Sequence, residues 1–128
     1  MSVLVKAAPP QSAVEFVIDG GGAVISTGEK GYILVPFGCT ITEVQLVADR
    51  AGSIKVDIWN DNYTNFPPTD ADTICGGNEP EIVAAQKYRD TTLTAWTRTL
   101  TEATILAFNV DSATTIQRCT VILLVEKN

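Results

Sequence analysis

The sequence contains no histidine, and its nine lysines and arginines are outnumbered by fifteen aspartates and glutamates, for a net charge of −6. Without histidine the chain lacks the commonest general base and the commonest zinc ligand of proteins. A serine or cysteine nucleophile would have no histidine partner, which excludes triad chemistry in its usual form. The acidic balance disfavours nucleic-acid binding, because that requires lysine and arginine to neutralise phosphates. We therefore expect neither an enzyme nor a nucleic-acid-binding protein.

Cysteines and long apolar runs are also scarce. The three cysteines, Cys39, Cys75 and Cys119, are odd in number and show no C-x-x-C spacing, which predicts buried thiols in a reduced cytoplasm rather than a disulfide framework. No run approaches the length of a membrane span, and the apolar residues 3–5 are too few for a signal peptide. With 128 residues the chain has room for one domain with a sizeable core.

The clearest positive pattern is the alternation of residues 54–59, where Ile54, Val56 and Ile58 fall on one face and more polar residues on the other. Such a period of two with β-branched residues is typical of a half-buried strand. The loop-forming residues that follow, up to position 68, include Asn, Asp and two prolines, and they predict a long loop that bears aromatic side chains.

Further short apolar or alternating segments, separated by glycine-rich and Asp/Asn-rich turns, predict strands at residues 13–19, 23–26, 32–37, 41–48, 93–98, 104–110 and 114–125. Residues 49–52 predict a hairpin turn, and residues 82–89 fit either a helical turn or an irregular edge strand. This pattern of about eight strands predicts an all-β fold, an antiparallel β-sandwich for which the jelly roll is the best single interpretation.

Residues 1–13 stand outside this alternation. Pro9 and Pro10 exclude a helix and favour an extended path. We predict an N-terminal arm over residues 1–13, followed by a sandwich domain over residues 14–128. The arm offers Val3, Leu4 and Val5 for an apolar contact and Lys6 as its one charge, so we expect it to anchor the domain to a partner.

The last predicted strand is apolar on both faces, with Ile122 and Leu124 on the side that should meet water. Leaving them exposed would forgo about 1.5–3 kcal/mol apiece. Either a loop of the same chain or a neighbouring subunit is expected to cover them, and residues 33–37 show the same two-sided character.

Two sets of loop residues suggest a site. Asp61, Asp70 and Asp72 could act as an acid–base pair or as calcium ligands. The spacing of Asp57, Asp61 and Asp70 does not follow a calcium-binding loop, so we predict no catalytic residue, metal or cofactor. Trp59, Asn62 and Tyr63 combine aromatic and polar groups, as a sugar-binding surface or a protein interface requires. Phe66, between polar residues and two prolines, is expected to plug the end of the sandwich beneath the loop.

Several motifs also resemble a known family. They are FVIDGGG at 16–22, GYILVPF at 31–37, VDIW at 56–59, NFPPT at 65–69, ADTI at 71–74, LTAW at 93–96 and ILAFNVDSATT at 105–115. Together they resemble a small β-sandwich domain of tailed bacteriophages, which occurs in head decoration (cement) proteins and at the ends of tail and fibre proteins.

The resemblance implies one of two functions. The first is a decoration protein that binds the major capsid protein and stabilises the assembled capsid; the second is a carbohydrate- or receptor-binding module of a tail or fibre, with a cell-surface glycan as partner. Since the sequence starts at a methionine and contains no fibrous stretch, we expect the first. A homotrimer on the capsid exterior of the virion, made in the host cytoplasm, is then expected, the threefold symmetry coming from the resemblance alone.

Overall fold

A computed structural model describes residues 10–128, so that Val3, Leu4, Val5 and Lys6 lie outside the described residues. The described chain forms seven strands and one short 3₁₀ helix. They are β1 (Gln11–Asp19), β2 (Gly28–Val35), β3 (Cys39–Asp61), the 3₁₀ helix (Asp70–Asp72), β4 (Glu81–Asp90), β5 (Thr99–Leu100), β6 (Thr104–Thr114) and β7 (Arg118–Lys127). Every paired strand is antiparallel, which confirms the predicted all-β antiparallel class.

The strands form one curled sheet in the order β1-β7-β3-β6-β2, with β4 and β5 also paired to β3. The first half of β3 pairs with β7 and the second half with β6, so β3 passes from one layer to the other. Phe16 of β1 stacks on Phe108 of β6 across the interior, with ring centroids 4.5 Å apart. Whether this strand order is a jelly roll stays a prediction.

The hairpin turn predicted at residues 49–52 is wrong, because β3 continues through it. At this point β3 bends and exchanges its partner, with register shifts against β4 between Val47 and Gly52. A Cβ atom on Gly52 would lie 2.6 Å from the carbonyl oxygen of Thr114, so the glycine permits a close approach of the β6–β7 turn. Asp49 fixes the same turn, since its Oδ1 accepts the backbone N–H groups of Gln117 and Arg118.

Two other predicted strands are replaced by irregular backbone. Residues 23–26 are not a strand, although Ile25 is buried and its N–H donates to the carbonyl of Ile116. Residues 93–98 are turns and irregular backbone, in which Leu93 and Ala95 have φ angles of 52° and 65°, outside the extended region of a regular strand. Apolar spacing alone did not distinguish a strand from turns that bury the same side chains.

The remaining strand boundaries also differ from the predicted ones, and β7 begins at Arg118 rather than at the predicted residue 114. Residues 82–89 form the edge strand β4, in which Ala84 has a φ of 46°, so the irregular-strand interpretation is correct. Strand β6 continues through residues 111–113, which separate two of the predicted strands, and β1 begins at Gln11, within the stretch assigned to the arm. Strand β2 ends at Val35, before Pro36, because proline lacks the N–H that a ladder needs.

The core lies inside the curl and is almost entirely apolar. Cys39, Cys75 and Cys119 are all buried and unpaired, as predicted. Burial raises the pKa of the Cys119 thiol to about 12 and raises that of Cys75 further, so these thiols are protonated, inert packing groups. Within residues 10–128 no helix is long and apolar enough to cross a bilayer.

Candidate functional site

The curled sheet has two outer faces, which differ in how much of their apolar surface is exposed. The face formed by β1, β7 and the first half of β3 is named here the open face. In its register Thr120 lies between Val17 and Val47, while Ile122 and Leu124 follow along β7. Val17 and Val47 are 54% and 41% exposed, and Ile122 and Leu124 are half-buried. The open face therefore carries an apolar strip at the protein surface.

The predicted interface residues Ile122 and Leu124 thus lie together on this face. Their half-burial comes from the flanking strands, since Ile122 is placed between Glu15 and Gln45 and Leu124 between Ala13 and Glu43. Among the described residues, no backbone hydrogen bond from a loop reaches Ile122 or Leu124. Whether a neighbouring subunit covers them stays a prediction.

A fixed ion pair borders the open face. Glu43 is buried, and its carboxylate accepts hydrogen bonds from Arg89 at 3.0 and 3.2 Å and one from the amide of Gln45. The Gln45 and Arg89 hydrogen bonds lower the pKa of Glu43 below its usual value, against the opposing effect of desolvation. Glu43 is therefore an ionised, oriented group at the rim of the apolar strip.

The second outer face belongs to β2, β6 and the second half of β3, and it is named here the roofed face. The loop after β3 returns to it, where Thr73 forms an isolated antiparallel bridge with Trp59. Ala107 lies in register between Tyr32 and Trp59 and is fully buried. Above it Phe66 packs edge-on against Tyr32, with ring centroids 4.7 Å apart. Phe66 therefore covers an outer face, and the prediction that it plugs the end of the sandwich is wrong.

Asp57 joins the roof to the sheet. This buried carboxylate accepts the indole N–H of Trp59 at 2.9 Å, the backbone N–H of Ile58 at 2.9 Å and the hydroxyl of Thr73. Thr73 in turn accepts the N–H of Cys75. The loop is thus held by a satisfied network in which each oxygen of Asp57 already has a protein donor.

The predicted ligand residues Trp59, Asn62 and Tyr63 occupy different positions. Trp59 borders a cleft of about 570 Å³, which is lined by Asp57, Trp59, Pro68, Thr69, Asp70, Asn109 and Asp111. Asn62 accepts the N–H of Asn65 at 2.9 Å and so shapes the loop. Tyr63 is 86% exposed at the loop tip. The structure therefore separates Trp59, in the cleft, from Tyr63, at the tip.

The predicted carboxylates likewise have separate positions. Asp61 accepts the N–H of Asn62, and Asp72 accepts that of Thr69, so both serve local turns. The structure instead brings Asp57, Glu79 and Asp111 together, with one oxygen of each within 4.8 Å of the others. Burial, followed by the negative charges of Asp57 and Glu79, raises the pKa of Asp111, although its hydrogen bond with Asn109 opposes the shift.

Sequence reasoning missed this acidic cluster because its members come from three separate segments, which only the sheet register and the returning loop bring together. Asp57 is already bonded to three donors, and the Lys55 ammonium lies 4.0 Å from Glu79. Both oxygens of Asp57 thus have protein donors and Glu79 has a cation nearby, so no metal is assigned to the cluster.

No protein-family model and no curated protein matches the sequence. Among solved structures, a chain from the capsid of Ralstonia phage GP4 is similar to this one, with a TM-score of 0.55 and 15% identity over 100% of this chain and 91% of that chain. The SPBc2 prophage-derived protein YomS is a more distant match, with a TM-score of 0.41 and 9% identity over 96% of this chain and 99% of that chain. The first comparison shows a common fold.

Proposed function

We propose that this protein is a structural component of a bacteriophage virion, a decoration protein that binds the exterior of the assembled capsid and stabilises it. The observation that carries the proposal is the similarity to a chain of a phage capsid, which spans 100% of this chain and 91% of the other. A match of this extent concerns the whole domain rather than one shared hairpin. The motifs that resemble phage decoration domains support it independently.

The open face is the surface proposed to contact the major capsid protein. Its centre is apolar, with Val17, Val47 and the half-buried Ile122 and Leu124. Its rim is polar and includes the ion pair of Glu43 with Arg89. An apolar centre inside a polar rim is the usual composition of protein interfaces, and burying that centre removes apolar surface from water.

Decoration proteins stabilise a capsid by bridging its subunits, which gives a direct test. Emptied, undecorated capsids of the phage that encodes the chain would be heated with and without the purified protein in a calorimeter. We expect a higher capsid disruption temperature that saturates at a fixed number of bound copies. An unchanged disruption temperature at saturating protein would contradict the proposal.

A matched pair of variants locates the contact. Val47→Lys introduces a charge on the open face, whereas Val83→Lys does so at an exposed apolar position of the edge strand β4. We expect Val47→Lys to abolish the temperature shift and Val83→Lys to retain it. Equal effects of both variants would remove the open face from the proposal.

The cleft beside Trp59 favours one alternative, a carbohydrate- or receptor-binding module of a phage tail or fibre. An indole next to amide and carboxylate acceptors, Asn109, Asp70 and Asp111, suits stacking of a sugar ring with hydrogen bonds to its hydroxyls. The alternative predicts binding on a glycan array that Trp59→Ala abolishes, together with no effect on capsids. Absence of array binding, with capsid stabilisation present, favours decoration.

We also propose a homotrimer for the assembled protein, since threefold positions are those that decoration domains of this kind occupy. Native mass spectrometry at micromolar concentration would test the copy number, and a monomer would contradict it. If Ile122 and Leu124 hold the copies together, Ile122→Lys or Leu124→Lys will dissociate them. Retained oligomers would assign those two residues to the capsid contact alone.

A further inference from the structure

Within the described residues, strands β1, β2, β4 and β5 each pair with another strand on one side only. Strands β1 and β2 stand at opposite ends of the strand order, and the curl brings them next to each other. They touch where Phe16 lies against Gly31, since a Cβ atom on this glycine would be 2.7 Å from the Phe16 ring. The curled sheet therefore has a seam between β1 and β2.

The seam opens into a groove of about 250 Å³ at the end where the chain enters β1. The groove is lined on one side by β1 and on the other by the end of β2, and its residues are Ser12, Ala13, Val14, Glu15, Ile33, Leu34, Val35, Pro36 and Phe37. Leu34 is 59% exposed here. The lining is mostly apolar, and Glu15 is its one charged residue.

The backbone along the groove can accept another strand. The N–H of Lys127 donates to the carbonyl of Pro10, which makes this pair a hydrogen-bonded one in the antiparallel β1–β7 ladder. Alternate residues of β1 therefore point their N–H and C=O groups toward β7, and residues 11, 13, 15 and 17 point theirs toward the seam. Such an unpaired edge is a template for an added extended segment.

The residues that precede Pro10 have the matching chemistry. Residues 3–5 are Val-Leu-Val, and Lys6 is the one charge among residues 1–9. An apolar tripeptide followed by a cation complements an apolar groove that contains a single carboxylate, Glu15. Nine extended residues reach at most about 30 Å, so the segment can leave its own domain and reach an adjacent one.

We propose that residues 3–6 of one copy occupy the β1–β2 groove of a second copy, as a short added strand with Lys6 beside Glu15. A second copy fits better than the segment's own groove. To enter its own groove the segment would have to reverse direction at Pro9 and Pro10. Neither proline has the backbone N–H that a hairpin of this kind would use to pair its strands. The contact is heterologous, so a ring of copies can satisfy every segment and every groove.

This contact forms without a capsid, and it can therefore be tested separately from the proposed function. The native cysteines are all buried, which leaves introduced thiols as the accessible ones. A chain carrying Leu4→Cys would be mixed with a chain carrying Leu34→Cys under mild oxidation and analysed on a non-reducing gel. We expect a disulfide-linked dimer of the two variants.

The matched control replaces the acceptor by Val83→Cys, an equally exposed apolar position on the edge strand β4. It should cross-link several-fold less. Equal yields at the two acceptors would overturn the proposal, because they would reflect random collision. A single chain carrying both Leu4→Cys and Leu34→Cys that closes an internal disulfide and forms no dimers would also overturn it, in favour of the segment's own groove.

A charge exchange gives a second, independent measurement on the otherwise native chain. Glu15→Lys should weaken self-association, measured by sedimentation velocity, about three- to tenfold, since it turns an exposed ion pair into a like-charge pair. Adding Lys6→Glu to that variant should restore association. No change on Glu15→Lys, or no restoration by the second substitution, would contradict the proposed pairing. Association seen only with capsids present would assign residues 3–6 to the capsid instead.

Discussion

The two outer faces of the sheet share the long strand β3, but they differ in how far their outward-facing residues are covered. On the roofed face the loop after β3 returns to the sheet, where Phe66 packs against Tyr32 and Ala107 is fully buried. On the open face Val17 and Val47 stay exposed. The difference lies in the connections, since the chain between β3 and β4 is long enough to fold back. An outer face that residues 10–128 leave exposed is the one that we propose for a partner.

The electrostatics of the two faces differ in the same way. Glu43, at the open face, has a lowered pKa because its carboxylate is hydrogen-bonded by Gln45 and Arg89. Asp111, beside the roofed face, has a raised pKa because of burial and its acidic neighbours. The surroundings of Glu43 thus favour its charged form, whereas those of Asp111 disfavour it.

The largest effect is expected at Gly52, where β3 passes from one face to the other. Gly52→Val would place side-chain atoms against the Thr114 carbonyl, 2.6 Å from the ideal Cβ, and against Ile116 and Thr115. Because backbone cannot rotate away, we expect a loss of about 3 kcal/mol in the free energy of unfolding, measured by denaturant titration. The neighbouring exposed position supplies the control, and Ala51→Val should be nearly neutral; equal losses would remove the special role of Gly52.

The next effect concerns the attachment of the roof. Asp57→Ala leaves the Trp59 indole and the Thr73 hydroxyl without their acceptor. We expect a loss of about 2–3 kcal/mol in unfolding free energy and faster hydrogen exchange in residues 62–75, with the open face unchanged. Asp61→Ala is the matched control, since Asp61 bonds the local N–H of Asn62. Unchanged exchange in the loop would show that Asp57 does not hold the roof.

The bend and the roof also show where sequence reasoning succeeds and fails. The strand at residues 54–59 was predictable because its alternation is local. Its continuity through residues 49–52 was not, since Asp49 and Gly52 have turn-forming types and their use depends on the distant segment 114–118. Trp59 was predicted as a ligand or partner residue from its type and position; it lines a cleft, and its binding role stays a prediction.

The residues that the fold brings near Trp59 could not be predicted from the sequence. Thr73 is far along the chain from Asp57, and no local pattern connects the two. The acidic cluster of Asp57, Glu79 and Asp111 depends in the same way on strand register and on the returning loop. Local periodicity predicts strands, whereas long-range contacts decide which outward residues meet.

Smaller effects of opposite sign are expected from the two carboxylates. A lowered folded pKa means that Glu43 adds stability above its unfolded pKa, which is lost as the pH falls through the folded value. A raised folded pKa means that Asp111 favours folding while protonated and that this contribution is lost as the pH rises through the folded value. At pH 7, Glu43→Gln should lower the melting temperature and Asp111→Asn should raise it.

Thermal melts between about pH 3 and pH 7 check this pair, because the carboxyl groups of unfolded chains titrate at about pH 4. Both differences should shrink toward the acidic end of that range, where wild type and variants increasingly carry neutral groups. Shifts of the same sign at neutral pH would contradict the electrostatic contrast between the faces.

The smallest effect is expected at the tip of the roof. Tyr63 is 86% exposed, so Tyr63→Ala should change the unfolding free energy by no more than about 0.5 kcal/mol. If decoration is the function, it should also leave capsid binding intact. Loss of capsid binding with unchanged stability would move the contact from the open face to the loop.

The most direct measurement of the central claim is co-sedimentation of the purified protein with emptied, undecorated capsids of the phage that encodes it. Three proteins would be compared at matched concentrations: the wild type, Val47→Lys on the open face and Tyr63→Ala on the roof. We predict that the wild type and Tyr63→Ala pellet with the capsids to the same saturating copy number, while folded Val47→Lys stays in the supernatant. A wild-type protein that remains in the supernatant at saturating concentration would contradict decoration altogether.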